Sequence, residues 1–208
     1  KASGEYVLLL NNDTEVITSS WLREMVGYAS QEHVGCVGAK LLYPNRTVQH
    51  AGVVIGCGGI AMHANVSTGE DQYGYFGRLV SVYDWSCVTA ACLMVKKEKY
   101  LSVFGLDEKL RVAYNDVDFN LKLLEKGYYN VVLPDVKLFH YESLSRGNDM
   151  RIDQIKRFKA ETDYMCDKWG SVLLKDKYYN DNLSYYYAFR LDRGWRDEKT
   201  LDEGKRGE

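Results

Sequence analysis

No apolar run in the 208-residue sequence approaches the roughly 20 residues needed to span a bilayer, so a membrane-spanning helix is not expected. No CxxC pair occurs, and the five cysteines, Cys36, Cys57, Cys87, Cys92 and Cys166, are odd in number and scattered. That pattern argues against a disulfide framework or a zinc site, and for reduced thiols in a cytosolic compartment. Charge of one sign is also missing: 27 Lys and Arg against 29 Asp and Glu leave a net −2, with no electrostatic footprint for nucleic acid. There is no internal repeat, no initiator Met and no signal peptide.

What is present is the composition of a soluble globular protein, 46% apolar and 27% charged, at a length that suits one domain with perhaps an appended piece. Tyrosine is frequent, at 17 residues, and suits both core packing and polar, sugar-like surfaces.

The stretch Tyr6-Val7-Leu8-Leu9-Leu10-Asn11-Asn12-Asp13 organises the rest. Five apolar residues ending in three short polar ones read as a buried, central strand of a parallel sheet that opens into a crevice. Ligands bind at that end of the strands in open α/β sheets. Asp13 then suits a divalent cation; the alternative is a strand that simply runs into an Asx turn. A central strand this close to Lys1 also leads to the expectation that further chain precedes it.

After Asp13, Thr18, Ser19 and Ser20 offer N-cap hydroxyls. Trp21, Leu22, Met25, Val26 and Ala29 follow at helical spacing, predicting a helix over about 19–31. Strands are predicted over 34–43, stopped by Pro44, and over 49–56. A Gly-rich, low-pattern stretch over 57–77 reads as a functional loop. Residues 84–95 form the next strand region, in which Thr89, Ala90 and Ala91 either admit a ligand close to the backbone or allow tight strand–helix packing. A short helix over 98–103 ends at Gly105.

A helix from Asp116 to Gly127 should bury Val117, Leu121 and Leu124, with Gly127 at C′. Asp116 and Asp118 in its first turn either complement the helix dipole or aim into the crevice of Asp13. An edge-like strand over 128–133 should stop at Pro134, and a short strand over 136–140 should end in His140. Asn148 or Asp149 then caps a long helix over about 149–169, with apolar positions Ile152, Ile155, Phe158, Met165 and Trp169. The tail turns charged after Arg190, and residues 197–208 should pack poorly.

Asp13, Asp116 and His140 all fall at element ends. Together they fit metal-assisted displacement of a diphosphate. Hard cations bind through few protein ligands plus phosphate oxygens and stabilise the departing charge. A separate carboxylate deprotonates the attacking hydroxyl. Arg146, just past His140, could add a positive fork for the diphosphate.

The ordered segments LLLNNDTEV, VGAKLLY, QHAGVVIG, VTAACLMV, FGLDEKL, NDVDFNLKLLEKGYYNVVLPDVKLFHYESLSRG and YYNDNLS resemble bacterial family 2 glycosyltransferases. They are similar to the branch that builds surface polysaccharides such as O-antigens and rhamnans, over roughly residues 4–184. The resemblance implies an α/β protein with the GT-A fold, a Rossmann-like α/β/α sandwich with a mixed, mainly parallel sheet and a C-terminal helix. It implies catalytic-domain sequence over 1–184 and a charged tail over 185–208. The implied activity is inverting, metal-assisted transfer of a sugar from a nucleotide-sugar donor to a glycan or lipid-linked saccharide acceptor. The implied setting is the cytoplasm, in solution or as a peripheral protein at the inner face of the plasma membrane, with oligomeric state open.

Residue by residue, Asn11-Asn12-Asp13 falls on the family's DXD motif, which makes Asp13 a ligand for Mg²⁺ or Mn²⁺ and sets Asn11, with Arg146, near the donor diphosphate. Asp116 falls on the general base, and His140 on a late histidine that completes the metal site in some relatives. Trp85, Ala90, Ala91 and Asp118 lie in segments that border the acceptor. Asn11 stands where the family carries the first acid of DXD, which implies weaker metal binding without nucleotide, and Asn115 stands where it carries the acid before the base, which bears on the tuning of Asp116. The family's N-terminal nucleotide-reading half is not in these residues, so residues 1–208 alone are expected to be inactive. A nucleotidyltransferase, which would release pyrophosphate, and a non-catalytic sugar-binding or scaffold domain are the alternative readings.

Overall fold

The computed structural model describes residues 2–141 and 152–192. Its strands are β1 (Tyr6–Leu10), β2 (Thr14–Val16), β3 (Val34–Leu42), β4 (Val48–His50), β5 (Val53–Ile55), β6 (Ala61–His63), β7 (Tyr83–Trp85), β8 (Cys92–Lys96) and β9 (Tyr129–His140). Its helices are α1 (Trp21–Ala29), α2 (Lys97–Ser102), α3 (Asn115–Glu125) and α4 (Ile152–Trp169). One sheet runs in the order β1-β8-β3-β9-β2, with β4 beside β3 and β7 beside β9; β5 and β6 form a separate hairpin. None of the described helices is long and apolar enough to cross a membrane.

Strand β3 is buried along its whole length and divides the core. On one face Val37, Ala39 and Leu41 pack with Met25 and Ala29 of α1, one helical turn apart. On the other, Cys36 joins Phe119 and Leu123 of α3. Gly38 on that face has no room for a side chain, because an added Cβ would lie 2.7 Å from Cβ of Val88. Helices on both faces of a mixed sheet give the expected sandwich. Helix α1 lacks a side-chain N-cap bond: Ser20 Oγ instead donates to the Glu24 carboxylate, within the first turn.

Several expectations need correction. Strand β1 is neither central nor parallel among the described residues: it pairs with β8 alone, antiparallel, and is half-buried. Its apolar run fits this place because one face packs against α1 and the other against the α3 side. The parallel share of the sheet is smaller than expected: among the described residues the one parallel ladder is β3 with β9.

Pro134 does not end a strand. β9 runs through it for 12 residues at the centre of the sheet. The ladder to β3 shifts register between Ala39 and Lys40, so the partner steps from Leu133 to Lys137, and this irregularity accommodates a residue with no N–H to give. The single strand expected over 49–56 breaks at Gly52 (φ +113°), where the Trp85 ring lies so close that an added Cβ would meet it at 2.1 Å. The loop over 57–77 contains β6 and a 3-10 turn at Tyr75–Gly77. In α4, Met165 and Trp169 are buried as expected, whereas Ile152, Ile155 and Phe158 are exposed. The five cysteines are free thiols. Arg146, the Asn148 or Asp149 cap and residues 193–208 of the tail lie outside the described residues.

Candidate active site

The Asn11-Asn12-Asp13 turn joins β1 to β2, and β2 is antiparallel to β9 with Thr14 opposite His140. That register brings the residue before Thr14 beside the histidine at the end of β9. Asp13 Oδ1 lies 3.2 Å from His140 Nε2. The turn is tied at both ends: Asn11 N–H donates to the Ala91 carbonyl at 2.9 Å, and Tyr141 N–H donates to the Asp13 carbonyl at 2.9 Å. Two residues 127 positions apart in sequence are thus held together by main-chain bonds.

Polar side chains converge on the imidazole. Asn11 Nδ2 lies 3.1 Å from His140 Nε2. On the other side, His140 Nδ1 meets Gln49 Oε1 at 2.6 Å, and Gln49 Nε2 donates to the His140 carbonyl at 3.3 Å. Asp13 Oδ1 is buried and accepts no hydrogen bond. A buried carboxylate oxygen without a donor is costly unless a cation serves it. Asp13 and His140 therefore fit a hard divalent ion whose remaining positions are taken by phosphate and water. Among the described residues no group of three or more His, Cys, Asp or Glu side chains forms a complete protein cage.

Asp116 is the second residue of α3. Its Oδ2 accepts the Ala90 N–H at 3.1 Å and its Oδ1 the Val117 N–H at 2.9 Å. Ala90 therefore ties Asp116 to the same short segment whose Ala91 carbonyl holds Asn11. The segment between β7 and β8 is irregular, so its N–H and carbonyl groups are available for this work.

Side chains that the sequence did not single out fix that segment. Asn120, buried in α3, accepts the Val88 N–H at 3.1 Å, donates to the Val88 carbonyl at 3.0 Å and to the Asp116 carbonyl at 2.7 Å. Asn130 of β9 donates to the Ser86 carbonyl at 3.0 Å and the Asn120 carbonyl at 3.2 Å. His50 Nε2 accepts the Thr89 N–H at 3.4 Å, and its Nδ1 faces Nδ1 of His63 at 3.2 Å. Burial, and then the neighbouring His63 and His140 rings, push the His50 imidazole well below its ordinary pKa. Burial, with Asp116 second, pushes the Cys36 thiol well up, so it is an inert packing group. Asparagine is a poor helix and strand former, and Asn120 and Asn130 inside apolar elements were the available signal for this network.

Two sequence-predicted residues lie elsewhere. Asp118 is fully buried and faces α4: its Oδ1 accepts the Trp169 indole N–H at 2.9 Å and pairs with Lys168 at 2.6 Å, and its Oδ2 pairs with Lys122 at 3.0 Å. It is spent on α4 and Lys122, on a different face of α3 from Asp116, because residues two apart on a helix do not share a face. Trp85 is 2% exposed, packed on Gly52 with the Arg78 guanidinium 4.9 Å from its ring, so it belongs to the core.

No protein-family model matches the chain. Over 185 residues it is 46% identical to the uncharacterized protein y4gI of Sinorhizobium fredii, covering 88% of this chain and 20% of that protein. Over 185 residues it is 39% identical to the O-antigen biosynthesis protein RfbC of Myxococcus xanthus, covering 88% of this chain and 14% of that one. A shorter match, 25% identical over 81 residues, covers 39% of this chain and 26% of an N-acetylglucosaminyl-diphospho-decaprenol L-rhamnosyltransferase of Mycobacterium tuberculosis. The chain thus spans a fifth or less of the two relatives it matches over most of its length. Among solved structures it is similar to GalNAc-T7 with UDP, GalNAc and Mn²⁺, at a TM-score of 0.53 and 12% identity, over 68% of this chain and 28% of that one. That likeness is one of fold: the chain has the mixed α/β architecture of a GT-A glycosyltransferase.

Proposed function

We propose that the chain carries the metal and acceptor side of an inverting glycosyltransferase site, acting in the synthesis of a surface glycan. The observation that carries this reading is the convergence of the orphaned Asp13 Oδ1 and His140 Nε2 on one point, with Asp116 held beside the same turn through Ala90 and Ala91. The names of the relatives, O-antigen biosynthesis and rhamnosyl transfer, support the substrate class, a nucleotide-sugar donor and a saccharide acceptor.

In this reading Asp13 and His140 hold a divalent ion, Mg²⁺ or Mn²⁺, which when bound offsets the negative charge that develops on the donor diphosphate. The two backbone N–H groups on Asp116 fix the carboxylate plane and leave each oxygen a further lone pair. Asp116 then takes the proton of the acceptor hydroxyl as its oxygen attacks the anomeric carbon from the face opposite the leaving diphosphate. One bond forms as the other breaks, and the configuration inverts. Asn11, whose amide lies 3.1 Å from His140 Nε2, would yield that nitrogen to the ion and turn its N–H to the donor diphosphate. Asp118 and Trp85 take no part, since both are buried away from the turn.

The test is Asp116→Asn, with sugar transfer followed as release of nucleoside diphosphate. Loss of a positioned base is expected to lower the rate about 10²–10⁴-fold with donor binding kept. Transfer at the wild-type rate would remove Asp116 from the mechanism, and release of pyrophosphate instead would point to nucleotidyl transfer.

A further inference from the structure

We propose that Gln49 is a positioning residue that holds His140 as its Nδ1–H tautomer, so that the Nε2 lone pair and the Asp13 carboxylate face a divalent cation together. The inference rests on the cation reading above, but the tautomer can be measured without it.

The argument is one of donors and acceptors. The His140 carbonyl can only accept, so the Gln49 atom 3.3 Å from it is the amide nitrogen. The other end of the same carboxamide is then oxygen, and it lies 2.6 Å from His140 Nδ1. An amide oxygen cannot donate, so Nδ1 must carry a hydrogen. A neutral imidazole has one N–H, which leaves Nε2 with a lone pair that faces the Asn11 amide until a cation displaces it. The surroundings of Nε2 agree: the Asn11 amide is placed to donate to it at 3.1 Å, and Asp13 Oδ1, at 3.2 Å, receives no hydrogen bond. Two lone pairs in contact repel, and a cation between them removes the repulsion.

Gln49 is well placed to enforce this choice. It sits on β4, which is paired to β3, which is paired in turn to β9, and it is only 4% exposed. Burial makes each of its hydrogen bonds expensive to lose. A glutamine suits the position better than a glutamate, since only the amide can serve the imidazole N–H and the main-chain carbonyl at once. Histidine ligands commonly owe their orientation to such a partner on the second ring nitrogen, and losing it costs about 10- to 100-fold in metal affinity.

The experiment is long-range ¹H–¹⁵N spectroscopy of the metal-free protein with labelled histidine, at a pH of about 8.5, well above the ordinary imidazole pKa of about 6.5. The wild type is expected to give His140 a protonated Nδ1 and an unprotonated Nε2. Gln49→Leu should move the hydrogen to Nε2 and weaken Mn²⁺ binding, read as paramagnetic broadening of His140, about 10- to 100-fold. Gln49→Glu should keep the Nδ1–H tautomer; if Gln49→Leu fails to fold, the wild-type and Gln49→Glu spectra decide. A wild-type Nε2–H form, or an imidazolium at that pH, overturns the role given to Gln49, even if Mn²⁺ broadens His140. An Nδ1–H form that Mn²⁺ leaves unbroadened overturns the cation reading, and with it the purpose assigned to the tautomer.

Discussion

Asp116 and Asp118 share the first turn of α3, yet Asp116 sits half-buried at the Ala90 segment with two neutral N–H donors, whereas Asp118 is fully buried against two lysines and an indole. At about 100° per residue the two side chains point roughly 200° apart. One face of the helix looks onto the Ala90 segment and the other onto α4. A charge taken wholly out of water needs counter-charges, and Asp118 has them. A base of the kind proposed for Asp116 needs to be oriented without being neutralised, and its two N–H donors meet that need. The same residue type two positions apart is thus neutralised by ion pairs on one face and held by neutral N–H donors on the other.

Asp116→Asn should act mainly on the first face, lowering transfer about 10²–10⁴-fold, while the unfolding free energy falls by only about 1 kcal/mol, since the half-buried amide keeps one of the two N–H bonds. Asp118→Ala should break the other face. Removing one member of a buried ion pair costs about 3–5 kcal/mol, and the low end applies here because Lys168 keeps Asp107 at 2.8 Å and is partly exposed. Denaturant unfolding measures it, and a change under about 1 kcal/mol would mean that α3 is held by its apolar contacts instead. Glu161→Gln sharpens the contrast further. Glu161 of α4 is buried and accepts the N–H groups of Arg111, Val112 and Ala113 at 3.0, 3.3 and 2.7 Å, just ahead of α3. An amide can serve fewer donors, so a loss of about 1–3 kcal/mol is expected, together with faster proteolysis in that loop.

The smallest effect is a pH dependence. His50 is held neutral in the fold by burial and its histidine neighbours, so its folded pKa lies below the ordinary value. The unfolded chain then binds the extra proton first. Stability should be flat above about pH 6.5 and fall as the pH drops below it, by up to about 1.4 kcal/mol per unit, until the folded pKa is reached. In His50→Phe that slope should flatten, and an unchanged slope would assign it to other groups.

Those contrasts bear on what the chain could announce in advance. Apolar runs and turn residues sufficed for α1, β3 and α3, because each is bounded by its own local signals. The continuation of β9 through Pro134 has no local signal, since the register shift that tolerates a proline depends on the partner strand β3. The exposed Ile152, Ile155 and Phe158 of α4 look like core by spacing, and nothing local says that only the second half of the helix is covered. Within the candidate site, Asp13, Asp116 and His140 were visible as polar residues at element ends. The Asp116 and Asp118 faces could have been separated by helical periodicity alone. Gln49, 91 residues from the imidazole it orients, could not, because the link runs across three neighbouring strands.

Strand β2 has only three residues, and its pairing sets Thr14 opposite His140. A slip of one position would carry Asp13 away from the imidazole and turn its side chain to the other face. An ion bridging Asp13 and His140 would therefore act as a bolt across the end of the sheet, locking the register of a three-residue ladder. Its binding energy would be spent partly on main-chain order, and the amide protons of Thr14, Glu15 and Val16 would exchange more slowly with the bolt in place.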